Sequence, residues 1–385
     1  MIEQKHIEEF GMLKTPFYAY DLHLLEHTID EVVKHSSAFG FQVHYALKAN
    51  SNLPVLDRIS KRGIGADCVS GNEVIRATKT GFNPHDIVLA GVGKTDDEIL
   101  IGLKHGIACF NVESVEELKI INALASQQNK VATVALRLNP NVDANTHKYI
   151  TTGLSENKFG IGLHELDEII GLLKSLKNIS LSGMHFHIGS QITDLNSFRS
   201  LCTKANELNR WFLQKNIALK HLNVGGGLGI DYMAPDENPV ADFESYFGLF
   251  NKFLELNPGQ QVHFELGRSL VAQCGSLISR VIFIKKGLKT NFMIIDAGMT
   301  ELLRPALYGA YHKIQNLTKG NTILNKDFYD VVGPVCESTD CFGKRMSLPV
   351  SERGDLIAIR SCGAYGEVMA NNYNLRELNE AVYFN

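Results

Sequence analysis

From residue 41 to about residue 266 the chain alternates between short runs of strand character and longer runs of helical character. The strand-like runs are FQVHYALK, GIGADCVS, DIVLAG, ACFNVES, VATVALRLNP, LSGMHFHIG, HLNVGGG and VHFELG. Between them lie stretches such as VEELKIINALAS, LDEIIGLLKSLK and FESYFGLFNKFLEL, in which apolar residues recur every three to four positions. Eight strands separated by seven helices, with a further helical run LHLLEHTIDEVVKHSSA ahead of the first strand, predict a (β/α)8 TIM barrel. The main competitor, a doubly wound open sheet, calls for a phosphate-binding G-x-G-x-x-G turn after the first strand, and KANSNLP is not one. Three helix starts carry the spacing of a capping box: Ser70 with Glu73, Thr95 with Glu98, and Ser114 with Glu117.

After residue 266 the pattern changes. SLISRVIFIKKG, NFMIIDAG, DFYDVVGPV, DLIAIRSCGAYG and EAVYFN read as strands broken by turns, with no regular helical partner. A second, all-β C-terminal domain follows, which the early run FYAYD joins as an extra strand. The division expected is a barrel over 24–273 and a β domain made of 1–23 plus 274–385. Two domains also suit 385 residues, more than one core usually holds. A net charge of −4 argues against broad binding to nucleic acid or anionic membrane. No apolar run approaches the ~18 residues of a membrane span, and the N-terminus has no signal-type segment, so the expected location is cytoplasmic. The seven cysteines are irregularly spaced with no C-x-x-C pair, which argues against a disulfide framework or zinc ribbon.

In a (β/α)8 barrel the chemistry sits at the C-terminal ends of the strands. In the first run, Phe41, Val43, Tyr45 and Leu47 form one face; Gln42, His44, Ala46 and Lys48 form the other, with Lys48 at the tip. The second strand carries Asp67, the fifth Arg137, and the sixth His185 and His187, leading into Ser190. The seventh ends in the glycine run 225–229, and the eighth carries Glu265 and leads to Arg268. Each has an ordinary reading: a solvated lysine, a turn, a surface carboxylate. The His185/His187 pair has metal-site spacing but no obvious further ligands, so no metal is expected. Taken together on one rim, a lysine amine, a glycine cradle whose N–H groups can approach an anion, and a carboxylate suggest pyridoxal phosphate.

Seven ordered motifs over nearly the whole chain then carry a resemblance. YALKAN, HFHIGSQ, GGGLG, ELGRSLVA, LLRPALYGAYH, PVCESTDCFG and GAYGEVMANNYN resemble the motifs of the diaminopimelate decarboxylases, a branch of the fold-type III pyridoxal-phosphate decarboxylases. Two departures stand out: Leu266 where the family usually has Pro, and a tail without the usual Pro-containing stretch. The resemblance implies that Lys48 holds the cofactor, that His187 stacks on its ring, and that Glu265 pairs with the pyridine nitrogen. It places Ser190, Gly226, Gly227 and Tyr365 at the phosphate end, with Arg268 also near the cofactor. Arg268, Arg304, Tyr308, Glu337 and Tyr365 would bind substrate, and Cys336 would donate a proton. It further implies a homodimer with active sites at the interface, Cys336 and Glu337 reaching the other subunit's cofactor.

Substrate chemistry bears on the branch. Meso-diaminopimelate presents a carboxylate and an ammonium at its distal end, which Arg268 and Arg304 can meet with guanidinium forks and Glu337 with a carboxylate. Lysine or ornithine presents only an ammonium there. The expected reaction is decarboxylation of meso-2,6-diaminopimelate to L-lysine and CO2. The alternatives are a related decarboxylase of a carboxylated polyamine such as carboxynorspermidine, or a non-catalytic decarboxylase-like regulator.

Overall fold

The computed structural model describes residues 2–140, 158–320 and 325–385, which fall into two compact units. One unit comprises 29–229 and 242–267; the other comprises 1–28, 230–241 and 268–385. The segment 230–241, which the sequence division keeps with the barrel, packs with the second unit.

The first strand, β1 (Phe17–Asp21), belongs to the second unit. The next eight are β2 (Gln42–Ala46), β3 (Gly65–Cys68), β4 (Ile87–Leu89), β5 (Cys109–Val112), β6 (Ala132–Arg137), β7 (Ile179–His185), β8 (His221–Asn223) and β9 (Gln261–Leu266). They form a closed, parallel barrel in chain order, sealed where β9 pairs with β2 in the register Gln42↔His263 to Tyr45↔Leu266. The expected barrel is present, and a helix lies in each of its seven β-to-β connections among the described residues. Of the three capping boxes only Thr95–Glu98 closes reciprocally. Ser70 and Ser114 do cap their helices, but Glu73 and Glu117 reach one residue further back, to the N–H groups of Val69 and Glu113.

Strand alternation decides what faces in and what faces out. On β9, Phe264 points outward into a cluster of Tyr246, Phe247 and Phe250 from the helix Phe243–Phe253, with ring centroids 5.6, 4.9 and 5.0 Å away. The intervening His263 and Glu265 point inward: His263 meets His44 of β2 at 2.9 Å across the barrel seam. The outward aromatic packing thus sets the register that aims Glu265 into the barrel.

The second unit is built on a mixed sheet in the order β12–β15–β10–β11–β13–β14. Its strands are β10 (Gly275–Lys286), β11 (Asn291–Ile295), β12 (Ile314–Asn316), β13 (Lys326–Val332), β14 (Cys341–Pro349), β15 (Leu356–Ile359) and β16 (Val382–Phe384). The FYAYD run does return to this unit, since β1 pairs antiparallel with β10 and parallel with β16. Phe10, Phe17, Ala19, Ile278, Leu356, Ala358 and Phe384 bury one face of the junction. Two strands escape sequence reading: β12 has three residues, and β14 (CFGKRMSLP) mixes charge with glycine and is largely exposed along its middle. β12 is held by backbone pairing to β15, well further along the chain, and β14 by pairing to β13, the strand directly before it.

Because Phe264 is fully buried among aromatic rings, Phe264→Ala is expected to lower the unfolding free energy of the barrel by about 3–5 kcal/mol in urea titrations.

Candidate active site

At one end of the barrel interior a cavity of about 430 Å³ is lined by Lys48, Lys94, Arg137, His185, His187 and Glu265, among others. That volume lies within the range of small-molecule sites. Lys48 is not on the strand itself. It sits on the short 3-10 helix Leu47–Ala49 that directly follows β2, and its Nζ donates to Asp67 Oδ2 at 3.0 Å. Asp67 is wholly buried on β3. Burial, reinforced by the charge of Glu265, raises its carboxyl to about 6 despite the opposing pull of Lys48.

Glu265 is the best-held carboxylate in the barrel. Its Oε1 accepts from Asn111 Nδ2 at 3.0 Å and Asn223 Nδ2 at 2.8 Å, and its Oε2 accepts from His185 Nε2 at 2.9 Å. Burial alone would raise its pKa, but His185 beside it, together with the charge of Lys48, outweighs burial and holds the carboxyl well below the usual range. His187 is driven the other way: burial, then the charges of Arg137 and Lys48, keep its imidazole neutral. Its Nδ1 accepts weakly from the Gly226 N–H at 3.4 Å.

The glycine run meets the loop that carries Ser190. Ile192 and Leu228 form an isolated bridge, and Ile192 N–H donates to Gly227 O at 2.8 Å. Gly225 and Gly227 have φ of +72° and +111°, and a Cβ on Gly226 would lie 1.9 Å from the Glu265 carbonyl oxygen. No side chain fits at 226, so the residue must be glycine, and its N–H, only weakly held by His187, can turn toward an anion. A lysine amine, a locked carboxylate, a neutral histidine and this cradle fit the donor set that pyridoxal phosphate requires.

The remaining predicted residues lie in the second unit. Arg268 opens the short helix Arg268–Val271, and Arg304 opens Arg304–Tyr308, whose last residue is Tyr308. Both arginines are buried, and both donate to the hydroxyl oxygen of Tyr232, at 2.6 and 3.0 Å. The Arg268 guanidinium lies 4.9 Å from the centre of the Tyr365 ring. Arg304 also donates to His312 Nε2 at 2.9 Å, while His312 Nδ1 donates to the Arg360 carbonyl at 2.8 Å. Cys336 is the one exposed thiol of the seven, and neighbouring Glu337 accepts from the Tyr373 hydroxyl at 2.8 Å. Asn111, Asn223, Tyr232 and His312 were invisible as site residues. The inward parity of Asn223, two residues before the glycine run, is a signal that could have found it; Tyr232 lies in an irregular segment with no periodicity to read.

Residues 25–272 match the family model for the pyridoxal-binding domain of pyridoxal-dependent decarboxylases, and the chain belongs to that family. Within it, the chain is 54% identical over 376 residues to the diaminopimelate decarboxylase of Bacteroides thetaiotaomicron, covering 97% of this chain and 96% of that one. The diaminopimelate decarboxylase of Haemophilus influenzae is 42% identical over 379 residues, covering 97% and 88%. Among solved structures, the Helicobacter pylori diaminopimelate decarboxylase complexed with L-lysine superposes with a TM-score of 0.89 at 40% identity, covering 98% of this chain and 93% of that one. The M. jannaschii enzyme in complex with L-lysine gives 0.90 at 34% identity, covering 98% and 89%.

His312 offers a pH test. Burial, then the charge of Arg304, lowers its pKa to about 3, so the folded state refuses a proton that the unfolded chain takes up near pH 6.5. Its stabilising contribution is complete above pH 6.5 and is lost as pH falls toward 3. In His312→Gln, the fall in unfolding free energy between pH 6.5 and 4.5 is expected to be shallower by about 1.4 kcal/mol per pH unit in urea titrations.

Proposed function

We propose that this chain catalyses the pyridoxal-phosphate-dependent decarboxylation of meso-2,6-diaminopimelate, giving L-lysine and CO2 as the last step of lysine biosynthesis. The observation that carries the reading is Glu265, a buried carboxylate that meets three N–H donors, on the same barrel cavity as Lys48. Pyridoxal phosphate, when bound, supplies a protonated ring that takes up the electron pair left behind when CO2 departs.

The chain's own residues do the rest. Lys48 holds the cofactor through its ε-amine. Glu265, fixed as an anion, keeps a proton on the ring nitrogen. His187, held neutral, lies against the ring face without competing for that anion. The N–H groups of Gly226 and Gly227, with Ser190, Arg268 and Tyr365, hold the phosphate end. Arg268, Arg304, Tyr308 and Tyr365 bind the substrate, the guanidinium forks taking its distal carboxylate and Glu337 its distal ammonium. Cys336 then delivers a proton to the carbon that lost CO2, acting as a general acid.

The exposure of Cys336 and Glu337 on the single chain supports a homodimer in which both residues serve the other subunit's site. The proposed setting is the cytoplasm. No helix among the described residues is long and apolar enough to cross a membrane.

A substrate panel tests the reaction: CO2 release is expected from meso-diaminopimelate and not from lysine, ornithine or carboxynorspermidine. Release from carboxynorspermidine alone would favour the polyamine branch, and no cofactor absorbance in the visible region would favour a regulator. Arg304→Ala should lower kcat/KM for meso-diaminopimelate by about tenfold to a hundredfold, the value of a charge-assisted hydrogen bond.

Subunit mixing tests the dimer. Lys48→Ala and Cys336→Ala are each expected to be inactive, the former with no cofactor fixable to the chain by borohydride. After verified exchange, about half the dimers pair one of each, and one of the two sites in those dimers carries neither defect. About a quarter of wild-type activity should return; no recovery would place Cys336 outside the partner's site.

A further inference from the structure

Asn223 is the last residue of β8 and is buried. Its Oδ1 accepts from the Gly225 N–H at 2.9 Å. A backbone N–H can meet only the oxygen of the amide, so the orientation of the side chain is determined, and Nδ2 must face Glu265, which it does at 2.8 Å. The same glycine is tied to β9 a second time, because its carbonyl accepts from the Glu265 N–H at 2.9 Å. Asn111, buried on β5, gives Glu265 Oε1 its second donor but makes no hydrogen bond to the glycine run among those described.

We propose that Asn223 is a positioning residue that ties the Glu265 carboxylate to the anion-cradling glycine run, with Asn111 acting on the carboxylate alone. The proposal rests on the reading that Glu265 faces the ring nitrogen. One amide then sets both ends of the cofactor site relative to each other. Its N–H donor, with those of Asn111 and His185, surrounds Glu265 with donors. A protonated Glu265 would turn its own O–H toward N–H groups, so the three together select the anion. Its oxygen holds the Gly225 N–H, which fixes the backbone one residue before the cradle N–H groups of Gly226 and Gly227.

The two asparagines separate the roles experimentally. Protein loaded with pyridoxal phosphate labelled with 15N at the ring nitrogen reports ring protonation by NMR as pH is raised. Cofactor-free protein reports the cradle by calorimetric titration with inorganic phosphate. In Asn111→Ala, the ring nitrogen should lose its proton at a lower pH than in wild type, while phosphate affinity stays within about twofold. In Asn223→Ala, the ring nitrogen should shift likewise and phosphate affinity should fall by about fivefold, the value of one ordinary hydrogen bond. Asn223→Leu keeps a branched side chain at the site, removes the same two bonds and gives the same reading should the alanine variant fail to fold. An Asn223 variant with wild-type 15N titration and wild-type phosphate affinity overturns the proposal, even if it is less stable. Glu265→Gln is the control. If it leaves the 15N titration unchanged, the assignment of Glu265 to the ring nitrogen fails; if it shifts the titration and Asn223→Ala does not, only the role of Asn223 fails.

Discussion

The pairing of β9 with β2 is the interaction on which the barrel's chemistry depends. An open eight-stranded sheet would give every strand two usable faces. Closure makes one face interior, and the strict alternation of side chains then commits each residue. Phe264 fills the aromatic layer outside, so its neighbours His263 and Glu265 must lie inside. A slip of one residue at this seam would bury Glu265 among phenyl rings and present Phe264 to the cavity.

Inside, charges are arranged in opposition. Lys48 lies against Asp67, Arg137 against Glu113 at 2.7 Å, and Lys94 against Glu117 at 2.6 Å. Glu265 differs from the other three carboxylates because its direct partners are two amides and an imidazole rather than a lysine or arginine. The two amides donate to it without cancelling its charge.

Much of this was legible from the chain. The alternation of periods announced the barrel, and strand parity put Lys48, Asp67, His185 and Glu265 at one rim. What escaped was set by pairings and turns that the alternation of periods does not encode. Strands β12 and β14 have little intrinsic strand character and exist because neighbours pair with them. Glu73 and Glu117 have capping-box spacing, yet the preceding backbone offers a better N–H and takes them. Lys48 follows the parity of its strand but sits beyond the end of it, on a turn whose existence the alternating pattern does not encode. Tyr232 is recognisable only once two arginines from separate helices are seen to converge on its oxygen.

The sheet unit also has a temporal side. Its strand β1 precedes the whole barrel in the chain, but the strand that covers one edge of it, β16, follows the barrel. Barrel strands find their neighbours in chain order, each soon after it is made. On a ribosome, therefore, β1 must wait with that edge bare through the whole of barrel synthesis, with only the preceding helix, through Phe10 against Phe17, to pack on it. That interval is when this protein is most open to pairing with the wrong strand, and when a chaperone that shields extended, aromatic segments would matter most to its yield.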